Sequence, residues 1–236
     1  MDDVMLPYRT DWRSIGMLLD LLKGKNLDRS GLEARMGAGE SFRETLNATE
    51  QLDLVRRDES GDIGLTNLGR RLAYAANEQE RRDELTNAML RYEPYGVPLQ
   101  RALAEEMPVL DGPWVERVWQ VDMRLGQPRN RVEEARTFFF RLASEAGLGT
   151  YHRGVRGQST RLELAGDVAE RLQRLVESTE SGQPAAEAGQ PAQPITAWTG
   201  STATHVASLS LTIDMSDWEF DKIEALLRLV GIIEQD

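Results

Sequence analysis

An internal repeat constrains the fold of this chain more than any other feature of its sequence. Residues 46–66 (LNATEQLDLVRRDESGDIGLT) and residues 139–164 (FFRLASEAGLGTYHRGVRGQSTRLEL) follow the same order. Each begins as a helix, passes through a leucine-containing turn into a strand, and returns through a polar loop as a second leucine-bearing strand. We therefore expect two copies of one small unit that ends in a β-hairpin.

Helical patterns precede the hairpin in both copies. In residues 10–52, apolar residues recur at helical spacing in three segments, and Gly24 and Gly37 end the first two. Residues 95–106, 113–123 and 129–147 repeat this order, with Pro108 between the first two. Helix, short helix, helix and hairpin is an order that resembles the winged-helix arrangement. The sequence thus predicts a mainly α fold with small β wings (α+β), formed by tandem winged-helix domains at residues 1–90 and 91–177.

The segments GLTNLGRRLAYA and EQERRDELTNAMLRY allow a closer comparison. They resemble the bacterial AAA-associated domain, a tandem winged-helix module appended to some transporter ATPases. The chain is also similar to bacterial winged-helix families of unknown function that open near LPY and end in a strand–helix unit. The resemblance covers residues 7–176 and implies the fold more than an activity. No P-loop motif for ATP is present in the sequence.

The sequence changes character after the second predicted domain. Residues 178–204 are rich in Gly, Pro, Ala, Ser and Thr, which predicts a flexible linker. Residues 205–236 then combine an alternating strand pattern with an amphipathic helix, and neither element can bury its apolar face alone. We expect this module to form a homodimer, although docking on its own chain or on another protein would serve the same need. The predicted dimerisation residues are Leu209, Leu211, Ile213, Phe220, Ile223, Leu227 and Val230.

Charge is distributed unevenly along the chain. The net charge is −11, but residues 124–161 contain eight arginines and three acidic residues. Acidic surroundings repel nucleic acid, so such a window would confine binding to one surface. In a winged helix the third helix enters the major groove and the wing contacts the DNA backbone. The predicted duplex-DNA contacts in the second domain are Arg129, Asn130, Arg131, Thr137, Arg141, His152, Arg153, Arg156, Gln158 and Arg161.

The first predicted domain is less suited to DNA. Its third helix is expected to point Glu40 and Glu44 outward, where they would meet phosphates, and its wing tip reads RRDESGD. A protein partner therefore fits this domain better than DNA does. Secondary contacts to DNA or to such a partner are predicted for Arg43, Asn47, Arg56 and Arg57.

Enzymatic chemistry finds little support in the sequence. There is no cysteine, and His152 and His205 are the only histidines and lie in separate modules. We expect no cofactor and no metal. The absence of a signal peptide and of a 20-residue apolar run predicts a cytoplasmic protein without membrane contact. The predicted function is a DNA-binding regulator or DNA-associated factor, and the alternative is a winged-helix adaptor or scaffold subunit that does not bind DNA.

Overall fold

Short helices alternate with short antiparallel strands in this chain. The computed structural model of the protein describes residues 5–155 and 157–180, with side chains through residue 175. In chain order the elements are α1 (Trp12–Leu22), α2 (Arg29–Met36), α3 (Glu40–Gln51), β1 (Val55–Arg57), β2 (Ile63–Leu65), α4 (Asn67–Ala73), α5 (Glu78–Arg91), α6 (Glu93–Ala104), β3 (Val109–Asp111), α7 (Gly112–Arg117), a π-helical turn (Val118–Asp122), α8 (Arg129–Glu145), β4 (Gly149–His152), β5 (Arg161–Leu164) and α9 (Val168–Glu180). The described part is mainly helical with small antiparallel sheets, as the sequence predicts.

The first half has the predicted order of three helices and a hairpin. Asp11 and Asp28 cap α1 and α2 by accepting hydrogen bonds from backbone N–H groups in the first turn. The apolar stripe of α1 is buried, and α2 ends at Gly37 in a left-handed conformation. Strands β1 and β2 pair antiparallel, with Val55 opposite Leu65. Local sequence signals are therefore sufficient to define this half.

The second half contains a strand that the sequence analysis missed. Strand β3 pairs with β5, and β5 also pairs with β4, which gives a three-stranded antiparallel sheet in the order β3-β5-β4. Only three residues long, β3 begins directly after Pro108 and ends at Asp111, which is also the N-cap of α7. A strand this short shows no alternating pattern, so only pairing with the distant β5 defines it.

The sequence also predicts continuous helices over residues 67–90 and 113–123, and the structure divides both. Residues 67–90 form two helices because the chain breaks at Tyr74 and restarts at Asn77, whose side chain caps α5 by accepting from Glu80 N. Glu80 in turn accepts a hydrogen bond from Ala76 N, so this break is stabilised from both sides. The segment PWVERVWQVDM begins as α7 and continues as the π-helical turn.

One hydrophobic core runs through the described residues. It includes side chains from α1 and α3 as well as Trp119 and the phenylalanines of α8, and the described residues belong to one compact unit. Tyr95 lies at its centre, with its ring centroid 4.9 Å from those of both Tyr92 and Phe139. The predicted boundary after residue 90 falls in the last turn of α5. Separate domains at residues 1–90 and 91–177 stay a prediction, and the structure adds that their residues share this core.

Candidate nucleic-acid interface

Helix α8 is the element that the sequence predicts to enter the DNA groove. Helical spacing predicts that Val132, Ala135, Phe139, Leu142, Ala143 and Ala146 face inward, and all six are buried. Phe138 and Phe140 are buried as well. These two rings therefore pack in the core and are not available for stacking on bases.

The first turns of α8 present polar side chains to solvent. Arg129 and Asn130 are exposed, and the Arg129 side chain is 91% accessible. Arg129 Nε lies 2.9 Å from Glu133 Oε1, one turn along the helix. An ion pair this exposed contributes little stability, so phosphate could replace the carboxylate at small cost. Thr137 is half-buried, and its hydroxyl donates to the carbonyl oxygen of Glu133 at 3.0 Å.

Arg131 does not extend into solvent as predicted. Its side chain is only 18% exposed, Nη2 lies 3.8 Å from Glu44 Oε2, and the guanidinium sits 4.1 Å from the centre of the Tyr8 ring. Glu44 is itself buried, which corrects the expectation that it points outward from α3. The correction has one cause: α3 and α8 come close together, and each buries a side chain that would be exposed on an isolated helix.

The segment before α1 joins the same two helices. The Arg9 guanidinium contacts Glu40 Oε1 of α3 at 2.6 Å and Glu134 Oε2 of α8 at 3.0 Å. These two carboxylates raise the pKa of Arg9, chiefly through the hydrogen bond to Glu134. Arg9 has positive φ, a conformation that few non-glycine residues adopt. Arg9 therefore lies against the N-terminal parts of both helices, which are not fully open to a DNA partner.

The C-terminal half of α8 is more open. Arg141 is exposed, and its guanidinium lies 5.7 Å from the centre of the Tyr151 ring on β4. Arg153, two residues beyond Tyr151, is exposed too. Arg153 directly follows His152, the last residue of β4. Helix α8 and the hairpin therefore each contribute one exposed guanidinium group.

The sheet face of the hairpin is less basic than the sequence window indicates. Glu163 accepts from Arg161 Nε at 3.1 Å, and its other oxygen lies 3.1 Å from His152 Nε2. Arg161 also donates to Gln158 Oε1 at 3.0 Å, and it is paired across the sheet with Asp111. The expectation of a basic wing is thus corrected for this face. Asp111 and Glu163 belong to the same sheet but lie outside residues 124–161, the window over which the charges were counted. Arg161 and His152 are half-buried, whereas Gln158 is exposed.

The Arg161 hydrogen bond also affects titration. It lowers the pKa of Glu163 below its ordinary value, and the nearby His152 adds to the effect. The carboxylate is therefore charged at neutral pH and neutralises part of the wing.

Two of the four predicted secondary contacts of the first half are paired within the chain. Arg43 lies 3.4 Å from Glu44 Oε1, and Arg57 Nε lies 2.7 Å from Glu50 Oε1. Arg56 is exposed, and Asn47 is half-buried on α3. These positions do not form a strongly cationic surface.

Several predicted residues lie outside the described residues. They are Arg156 at the hairpin tip and the dimerisation set Leu209, Leu211, Ile213, Phe220, Ile223, Leu227 and Val230. The linker, the C-terminal module and the homodimer formed through it stay predictions.

Other kinds of site find no support in the part of the chain that is described. Within residues 5–155 and 157–180, no cluster of three or more histidine or carboxylate side chains could hold a metal ion. Among the helices described there, none has the length and apolar character needed to cross a membrane.

Comparison with known proteins gives no relative. No protein-family model matches the chain, and neither a curated protein nor a solved structure matches it. The resemblance to AAA-associated modules therefore depends on the quoted segments alone and stays a prediction.

Proposed function

We propose that this protein binds duplex DNA through the junction of α8 with the β4–β5 hairpin, as a pair of winged-helix domains of which the second is the reader. The observation that carries the proposal is the placement of Arg141 against Tyr151, with exposed Arg153 two residues further along the hairpin. An arginine stacked on an aromatic ring is held in a fixed orientation while its N–H groups stay free to bind phosphate or a guanine edge. Exposed Asn130 and Arg129 extend the surface along α8.

The proposed surface is narrower than the sequence alone predicts. Arg131 is not included because its guanidinium contacts Glu44 and the Tyr8 ring. Arg161 is not included because it donates hydrogen bonds to Glu163 and Gln158. Four side chains remain as the proposed contacts: Arg129, Asn130, Arg141 and Arg153. Such a small set fits mainly nonspecific binding with a modest salt dependence, with base discrimination assigned to Arg141 and Asn130.

The test is fluorescence anisotropy of a labelled duplex with the full chain at several salt concentrations. The variant Arg129→Ala/Arg153→Ala removes two proposed phosphate contacts and should reduce the slope of log K against log salt by about 2. The matched control is Arg70→Ala/Arg91→Ala, which removes the same charge from the exposed ends of α4 and α5. Circular dichroism establishes that both variants are folded. Equal losses of DNA affinity in the two variants would mean that net charge, not this surface, determines binding.

The adaptor function is the second candidate, and the charge balance of the sheet favours it. Arg161 is opposed by Glu163 and Asp111 on one face, and the whole chain carries a net charge of −11. A charge-balanced face suits a protein partner better than a polyanion. An unchanged anisotropy at the lowest salt concentration would reject DNA binding and leave the adaptor as the proposed function.

A further inference from the structure

Helix α1 leaves one face open although its opposite face is in the core. Met17 is 45% exposed, and Trp12 and Leu21 are half-buried. At Gly16, a methyl group in the Cβ position would meet no atom within 4 Å. These residues line a shallow depression, and the glycine allows another backbone to come close to the helix axis.

Two opposite charges lie on this face at equal distances from its centre. Arg13 precedes Gly16 by three residues, and Asp20 follows Met17 by three. Because seven residues make about two turns, Arg13 and Asp20 point in nearly the same direction, about 10 Å apart along the axis. Asp20 accepts Lys23 Nζ at 2.8 Å, an exposed i,i+3 contact that leaves its second oxygen available. Arg13 makes no ion pair with any residue of the described part of the chain.

We propose that this face binds α1 of a second copy of the chain, antiparallel across a two-fold axis that passes between Gly16 and Met17. In that arrangement Arg13 of each copy lies opposite Asp20 of the other, so two identical ion pairs form. The Met17 side chains fill the space that the glycines leave, and Trp12 and Leu21 lie at the ends of the contact. A two-fold axis uses the same patch on both copies, which therefore must be complementary to itself.

The charges select this orientation over its parallel alternative. In a parallel pair, Arg13 would lie opposite Arg13 and Asp20 opposite Asp20, and like charges in close contact are unfavourable. An unrelated partner would not require the charges to be symmetric about the centre of the face. A second copy is therefore the occupant that explains both the glycine and the spacing of the charges. The surface is also distinct from the C-terminal module, so it can be tested independently.

The experiment uses charge reversal and mixing on the full chain, with sedimentation velocity over a wide concentration range. The wild type should dimerise, and Arg13→Glu and Asp20→Arg should each raise the dimer dissociation constant at least about tenfold. Mixing the two single variants should restore dimers, because each chain then offers the charges that the other needs. The double variant Arg13→Glu/Asp20→Arg should dimerise with itself.

Controls separate this contact from other effects. Arg70→Glu gives the same charge change on α4 and should leave the dimer unaffected, and thermal melting shows whether each variant is folded. A wild type that stays monomeric would overturn the proposal. So would dimers that persist in both single variants, since self-association would then use another surface, such as the C-terminal module. Failure of the mixed single variants to associate would overturn the antiparallel pairing.

Discussion

Arg131 of α8 and Glu44 of α3 form a largely buried ion pair that joins the two helices predicted to face DNA. Their closest atoms are 3.8 Å apart, and the side chains are 18% and 5% exposed. Arg43 also approaches Glu44, and the Tyr8 ring covers Arg131. Helices α3 and α8 therefore do not present independent surfaces, which is the main structural reason for the reduced DNA surface proposed above.

We predict that this pair couples more strongly than a shorter pair on the surface. In a double-mutant cycle with Glu44→Gln and Arg131→Gln, the interaction energy should be about 1 kcal/mol, because low exposure weakens solvent screening. Each single substitution should cost about 1–3 kcal/mol, since it leaves a buried polar partner. The matched control is Arg129–Glu133, at 2.9 Å but highly exposed, for which coupling should be below about 0.5 kcal/mol. Urea unfolding of wild type, the single variants and the double variant of each cycle gives the two interaction energies. Equal interaction energies in the two cycles would contradict the prediction.

Two neighbouring tyrosines should respond in opposite ways to loss of the hydroxyl group. Tyr92 Oη lies 2.8 Å from the carbonyl oxygen of Met5 and 3.0 Å from Gln51 Oε1. Tyr95 Oη is buried without a hydrogen-bond partner in the described part of the chain. Burial raises the pKa of both groups, so both are neutral at ordinary pH.

Tyr92→Phe should therefore lower the free energy of unfolding by about 1–2 kcal/mol, because the hydroxyl proton that Met5 O and Gln51 Oε1 can accept is removed. Tyr95→Phe should be neutral or stabilising by up to about 1 kcal/mol, because an unpaired buried hydroxyl is removed. Chemical denaturation of the two variants, which differ from wild type by the same single atom, gives the comparison. A larger loss for Tyr95→Phe would mean that its hydroxyl has a partner, such as a buried water.

Local patterns in the sequence predict the elements that stand alone, and miss those that depend on distant residues. The stripe of α1, the end of α2 at Gly37 and the hairpin β1–β2 follow from spacing and turn residues. Strand β3 does not, because its only signal is its partner β5, about 50 residues away. Helical projection likewise places Glu44 outward, and the charge pattern assigns Arg131 to DNA, since neither contains information about a second helix.

The candidate site was predictable to a similar extent. Exposure of Arg129, Asn130, Arg141 and Arg153 follows from the periodicity of α8 and the hairpin pattern. The charge balance of the sheet follows only in part, because Asp111 comes to lie opposite Arg161 only when β3 pairs with β5, whereas Glu163 is two residues along the same strand. A count of charges along the sequence cannot include a neighbour across a sheet. The contact of Arg141 with Tyr151 could have been suggested only after α8 and β4 were placed together.

A glycine in the GLTNLGRR segment should prove indispensable for packing. A Cβ on Gly69 would overlap the carbonyl oxygen of Leu54, which itself accepts a hydrogen bond from Thr66 N. Gly69→Ala should therefore cost about 3 kcal/mol or more, despite the better helix propensity of alanine. Gly24→Ala is the control, because its Cβ would meet no atom within 4 Å. Thermal unfolding should show a large loss for the first variant and less than about 1 kcal/mol for the second.

Glu163 should titrate below the ordinary range of glutamates, and its pKa should depend on Arg161. The Arg161 hydrogen bond is the main cause of the lowered pKa, and His152 contributes through its charge. Because the folded-state pKa is depressed, the stabilisation from this carboxylate is fully present above the unfolded-state pKa. It is lost as the pH falls through the lower folded-state value. The stability difference between wild type and Arg161→Gln should therefore shrink in acid, below about pH 4.

The measurement is an NMR titration of the Glu163 side-chain carboxyl in wild type and in two variants. Arg161→Gln should raise the pKa of Glu163 toward its ordinary value, because the donor guanidinium is gone. Arg153→Gln removes the same charge from an exposed arginine of the same hairpin, and we expect it to leave the pKa of Glu163 nearly unchanged. If both variants shift the pKa equally, the charge of the hairpin as a whole sets it. The specific pairing of Arg161 with Glu163, and with it the neutral sheet face, would then be wrong.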